Sequence, residues 1–267
     1  MTNIEDYFSG KKLYGDDFSF EQITKWYEEE AEAYAQMYGI NDSEANFDHN
    51  ANIMHGYKYL ENIQSFNNVL GLGSSWGYEF LPIIDKIQNL HIVDTSEQTI
   101  SEKLAIIKPT YHKPTVSGKI DFPDNTFDLI NVFSTIHHIP NVTYILNELF
   151  RVLKPGGYLL LKEPVNSMGD WRTKREGLTT HERGIPPLIL EKIIKDANMQ
   201  IVSKQYYQTM TSFFIRTTKL KSFFQSNIYY FIDKYLSNLL IFNMHYHPTK
   251  KRQRICPTTV FYVLRKK

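Results

Sequence analysis

The chain has 267 residues, 42% hydrophobic and 22% charged, an ordinary globular composition with room for one large α/β domain plus additions, or for two small domains. Lys and Arg (30) balance Asp and Glu (29), and a net charge of +1 gives no general attraction to nucleic acid or an acidic membrane. The single cysteine, Cys256, excludes an internal disulfide framework and fits a reducing compartment. Met1 to Lys12 has no apolar run for a signal peptide and no stretch reaches transmembrane length, so the expected location is cytoplasmic, with no membrane insertion.

In chain order, Phe20 to Tyr38 has helical spacing with many acids, and Ala51 to Ile63 reads as a second helix. Both precede the first strand, so residues 1–64 are expected to form an N-terminal helical cap and 65–267 the main domain. Val69 to Leu72 and Leu90 to Val93 are short apolar runs. The second ends at Asp94, after which Thr95 and Gln98 have capping-box spacing and predict a helix. Phe127 to Phe133 is a third such strand after the turn Pro123-Asp124-Asn125. Asn141 is placed to cap a helix with apolar positions Ile145, Leu149, Val152 and Leu153, stopped by Lys154-Pro155-Gly156-Gly157. Tyr158 to Leu161 is apolar on both faces, as a central parallel strand requires. Beyond Glu163-Pro164 come a polar stretch to Pro187, a helix near Leu188 to Asp196, and a strand from Gln200 to Tyr207. A helical, aromatic insertion at about 213–250 and a closing strand from Thr258 to Leu264 complete the pattern, which is that of a mostly parallel, doubly wound sheet.

The first strand runs into Gly71-Leu72-Gly73-Ser74-Ser75-Trp76-Gly77. A turn this lean lets backbone N–H groups approach a nucleotide-like ligand, and its spacing does not fit the G-x-G-x-x-G of dinucleotide binders. A carboxylate at Asp94, ending the second strand, can accept from both hydroxyls of a ribose.

This loop, then Phe122-Pro123-Asp124-Asn125-Thr126-Phe127-Asp128-Leu129-Ile130, then His137-His138-Ile139-Pro140, then Arg151-Val152-Leu153-Lys154-Pro155-Gly156-Gly157-Tyr158, resemble in order the type 11 group of class I S-adenosylmethionine-dependent methyltransferases. The resemblance covers about Asn67 to Pro164. It implies a Rossmann-like α/β fold with a seven-stranded sheet of order 3-2-1-4-5-7-6, strand 7 antiparallel, and helices on both faces. It also implies S-adenosylmethionine held by Gly71, Gly73, Ser74 and Gly77, by Asp94 and Thr95, by Gly118, Lys119 and Ile120 on the adenine side, and by Ser134. The chain departs from the family at Gly71, usually an acid that helps hold the methionine end, at Ser75, usually glycine, and at Val116, usually an acid. Glu79 is a candidate replacement for the acid missing at Gly71.

His137 or His138 is the expected general base, with His181 as the alternative, because a neutral imidazole can take the proton of a hydroxyl nucleophile. The segment Ser167 to Pro186 follows the fifth strand, at the sheet edge where ligands bind. From it, and from Glu163, the expected acceptor-binding residues are Glu163, Asp170, Arg172, Arg175 and Arg183. The arginines suggest an anionic or nucleotide-linked small molecule. With Tyr14 to Ser19, this segment is similar to methyltransferases of bacterial surface-polysaccharide loci, which implies O-methylation of a sugar or phosphorylated glycan precursor. Methylation of a quinone or amine, and a binding protein of this fold without turnover, stay open; a dehydrogenase is the weakest alternative. A homodimer is possible, and no nucleic-acid partner is expected. His245-x-His247 has no third ligand at suitable spacing, so these read as surface histidines and no metal is expected. Tyr230-x-x-x-Lys234 reads as helix packing and Lys250 to Arg254 as a solvated run.

Overall fold

A computed structural model describes residues 3–37, 49–209 and 226–267. Its core is one seven-stranded sheet: β1 (Phe66–Leu72), β2 (Ile87–Val93), β3 (Thr110–His112), β4 (Phe127–Phe133), β5 (Leu153–Pro164), β6 (Gln200–Tyr207) and β7 (Thr259–Arg265). The order is β3-β2-β1-β4-β5-β7-β6, with β7 antiparallel to both of its neighbours. This is the class I methyltransferase arrangement that the motif order implied. The parallel strands β1, β4 and β5 are buried on both faces, which is why they read as unbroken apolar runs.

One face of the sheet is covered by α4 (Val142–Val152) and α5 (Pro187–Asp196). Its core includes Leu70, Ile130, Leu146, Leu149, Leu159 and Leu190. The other face is covered by α3 (His49–His55), a 3₁₀ segment from Tyr78 to Lys86, and α6 (Asn227–Leu240), and its core includes Val69, Phe80, Leu129, Leu160 and Phe261. Two further helices, α1 (Ile4–Phe8) and α2 (Phe20–Met37), lie N-terminal to these.

Several expected elements differ in detail. The second helix ends at His55 and Tyr57–Leu60 continue as 3₁₀, because the backbone leaves the helical region at Gly56 (φ −124°, ψ −77°), where a Cβ would meet the Phe261 ring at 2.7 Å. No helix opens after Asp94. Its carboxylate accepts from Ser96 N–H at 2.9 Å, and this Asx-type turn replaces the capping box. Asn141 stands at the N-terminus of α4, but its side chain donates to Ser117 O instead; Asp16, far back in the chain, caps the helix through Thr143 N–H and Oγ1 at 2.8 and 2.6 Å. The helix before β7 is α6; the part of that insertion between 210 and 225 lies outside the described residues, as do 38–48.

Candidate active site

The carboxyl ends of β1, β2, β4 and β5 meet the turns that follow them along one sheet edge, and two clefts open there. The first, of about 370 Å³, is lined by Asp94, Thr95, Ser96, Ile100, Tyr111 and Lys113, among others. Gly73 (φ 64°), Ser75 (φ 46°) and Gly77 (φ 78°) all lie in the left-handed region, so the β1 turn folds back sharply on itself. Asp94 fixes that turn: one carboxylate oxygen accepts from Ser75 N–H at 2.9 Å and the other from Ser96 N–H. Each oxygen keeps a second lone pair, enough to accept from a ribose diol. The cleft and the acceptor set therefore fit the nucleoside part of S-adenosylmethionine.

The turn also explains Gly71. A Cβ there would meet Ser74 Oγ at 2.2 Å and Phe80 at 2.9 Å, so no acidic side chain fits. Buried Glu79, next to the Ser74 hydroxyl, brings a carboxylate to the same neighbourhood. Burial pushes its pKa up to about 7, with Ser74 and Lys162 opposing.

The adenine-side residues are placed differently from expectation. The N–H groups of Gly118, Lys119 and Ile120 are committed to Thr115 O, Ser117 Oγ and Glu148 Oε2, and Gly118 packs on Ile145 of α4. Ile100, Tyr111 and His112 line the cleft in their place. Tyr111 Oη accepts from Ser101 N–H and donates to Ser75 O, tying β3 to the glycine turn. Nothing in their local spacing marked these residues; a strand-end position beside β2 was the available signal.

The second cleft, of about 250 Å³, lies between the ends of β4 and β5 and the β6–β7 junction. Ser134, His137, Asn166, Met168, Gln208 and Thr259 are among its walls. Ser134 (φ 55°), Met168 (φ 57°) and Gln208 (φ 66°) each hold a left-handed backbone without being glycine. Such conformations cost of order 1–3 kcal/mol each and cluster at functional sites.

Of the three histidines expected as base, only His137 lines this cleft. Its Nδ1 lies 2.7 Å from Glu163 Oε2 and its Nε2 faces Glu182 Oε1 at 3.6 Å. Burial disfavours the charged ring, but Glu163 and then Glu182 outweigh it and push the pKa up to about 9. Both ring nitrogens thus face protein carboxylates. His138 is pushed down by burial against the pull of Glu30, whose Oε2 is 3.2 Å from its Nδ1. His181 is bound to Glu29 and stacked on Trp26 at 4.3 Å, which places it in the α2 interface.

The acceptor arginines are also occupied. Arg183 is fully buried and donates to the carbonyls of Tyr14, His137 and Ile139 at 2.9, 2.7 and 2.8 Å. Arg175 clamps its own segment through Glu182 O, Thr179 O and Thr180 O. Arg172 pairs with Asp170 at the surface. Glu163 has no exposure and accepts from Thr135 N–H, Ile136 N–H and the His137 ring, so it shapes the turn after β4. None of these five residues lines the second cleft, and each is engaged with another part of the protein. His247, expected at the surface, instead stacks on Phe8 at 4.0 Å and bonds Ser167 Oγ.

Residues 70–161 match the family model described as a methyltransferase domain. Over this segment the chain is similar to that domain. A ubiquinone/menaquinone biosynthesis C-methyltransferase from Hydrogenovibrio crunogenus is 30% identical over 113 residues, 39% of this chain and 44% of that protein. A phosphoethanolamine N-methyltransferase from Caenorhabditis elegans is 26% identical over 137 residues, 49% of this chain and 31% of that protein. The chain thus spans under half the length of the curated relatives it matches. An S-adenosylmethionine-dependent methyltransferase structure from Mesorhizobium loti superposes with a TM-score of 0.53 at 13% identity, covering 81% of this chain and 98% of that one. At this identity the likeness shows the fold.

Proposed function

We propose that the chain is an O-methyltransferase that moves the methyl group of S-adenosylmethionine to a hydroxyl of a neutral, sugar-like acceptor, a precursor of a bacterial surface glycan. The observation that carries this reading is the lining of the 250 Å³ cleft. Ser134, Asn166, Gln208, Thr258 and Thr259 present hydroxyl and amide groups, with no arginine or lysine among the described residues of the wall. Such a wall hydrogen-bonds a polyhydroxylated ring and has little to offer a free phosphate.

On the cofactor side we assign Asp94 to the ribose hydroxyls, the Gly73–Gly77 turn to the nucleoside, and Glu79 to the ammonium of the methionine end. When bound, the cofactor supplies a methyl carbon on a sulfonium. The protein aligns the acceptor oxygen behind that carbon and excludes water, and positioning of this kind supplies much of such a rate. His137 stands at the cleft wall, oriented by Glu163 behind its Nδ1.

The relatives described above favour a second reading, a quinone or amine acceptor. Incubation with methyl-labelled cofactor and a panel of neutral saccharides, nucleotide sugars, demethylmenaquinone and phosphoethanolamine separates the two. Label in a neutral saccharide supports the proposal. Label confined to the quinone or the amine sinks it. Tight cofactor binding with no S-adenosylhomocysteine formed from any acceptor favours the non-catalytic alternative.

A further inference from the structure

Behind the cleft wall, His137 and His138 of the turn after β4 meet Glu182 of the 167–186 segment. One ligand-type atom from each of the three lies within 4.8 Å of the other two. The 3.6 Å between His137 Nε2 and Glu182 Oε1 is long for a hydrogen bond. It is close to the separation of two ligands that each stand about 2.1 Å from a shared ion. Both imidazoles are also oriented from behind: Nδ1 of His137 lies 2.7 Å from Glu163 and Nδ1 of His138 lies 3.2 Å from Glu30. A carboxylate on the far nitrogen of each ring is the usual support of metal-bound histidine.

The charges around the cluster point the same way. Glu30 and Glu163 are 4% and 0% exposed, and the Glu182 side chain is 12% exposed. The neighbouring guanidinium groups of Arg175 and Arg183 donate to backbone carbonyls. Arg175 and Arg183 also act on these carboxylates through space, yet three carboxylates against two guanidiniums leave one negative charge over when both imidazoles are neutral, and a buried carboxylate requires paired positive charge.

We propose that His137, His138 and Glu182 form a site for one borderline divalent cation of the Zn²⁺ class, which pins the 167–186 segment to the β4 turn and, through Glu30, to α2. Two nitrogens and one carboxylate oxygen suit Zn²⁺, whereas Mg²⁺ and Ca²⁺ prefer all-oxygen sets. The site does not depend on which acceptor the enzyme takes. Sequence spacing hides it, because its carboxylate lies some 45 residues beyond the histidine pair.

The test uses the full chain, stripped with chelator and titrated with Zn²⁺ by calorimetry, with elemental analysis after gel filtration. The wild type is expected to retain one equivalent, released by chelator, and to melt at a higher temperature with the metal than without it. Glu182→Gln is expected to weaken binding at least tenfold, and Glu30→Gln, which leaves all three ligands in place, by a smaller factor. His91→Gln, at the separate His91–His112 pair, is expected to bind as the wild type does. Co²⁺ in place of Zn²⁺ reports the ligand field by its visible bands, which should change in Glu182→Gln. No stoichiometric uptake by the wild type overturns the proposal. So does equal uptake by a folded Glu182→Gln protein, or loss of uptake on His91→Gln alone.

Discussion

Asp94 holds the Ser75 and Ser96 N–H groups, one on each oxygen, and in the proposed function also accepts from a ribose. Asp94→Ala removes both, so affinity for S-adenosylhomocysteine measured by calorimetry should fall by about 1–3 kcal/mol, more than a lost ribose contact alone. Asp94→Asn keeps one acceptor oxygen and should lose less. The position at Gly71 gives a second expectation. Gly71→Asp, which restores the family's usual residue, should destabilise the fold, because its Cβ would overlap Ser74 Oγ; the paired change Gly71→Asp with Ser74→Gly should recover part of the loss in thermal melts. Glu79 sets the pH dependence of cofactor binding. Its buried carboxyl is neutral below about 7 and ionised above it, and the ionised form attracts the cofactor's ammonium. Affinity should therefore rise between pH 6 and 7.5 in the wild type and stay flat and lower in Glu79→Gln; an unchanged slope would remove Glu79 from the cofactor site.

At the scale of elements, the strands and the glycine turn were legible because their signals are local: unbroken apolar runs, turn residues and loop glycines. The helix expected after Asp94 was not, since the same carboxylate that reads as a cap instead captures Ser96 N–H. The cap of α4 was misplaced for the opposite reason. Asn141 has the right residue type next to the helix, while Asp16, the actual partner, lies 127 residues away. The arginines illustrate the same limit. A cluster of Arg in a loop at a sheet edge suggests anion binding, and only three-dimensional packing reveals that carbonyl groups occupy Arg183 and both terminal nitrogens of Arg175. Arg183→Met keeps the volume but leaves the carbonyls of Tyr14, His137 and Ile139 without a donor. It should lower unfolding stability in urea by about 2–4 kcal/mol, and limited proteolysis should then cut within 167–186.

For the whole molecule, acid stability should depend on His55, buried between Tyr207 and Phe261 and near Lys58, Lys162 and Lys234. Burial first, and then those lysines, lower its pKa from 6.5 to about 4. The unfolded chain takes up a proton below 6.5 that the folded state refuses, so this contribution is intact above 6.5 and is lost as pH falls toward 4. The loss is roughly 3 kcal/mol, and His55→Gln should flatten that part of the stability-versus-pH curve. The order of the sheet has a further consequence, for synthesis of the protein. Strand β6 pairs with β7 alone, and β7 begins at Thr259. A nascent chain that has reached residue 250 holds β6 complete, with nothing beside it to bond, and β5 with one edge bare. Chains stalled at that length leave both edges of β6 and one edge of β5 open to pairing with other molecules, so ribosome pausing before Thr259 exposes this protein to aggregation.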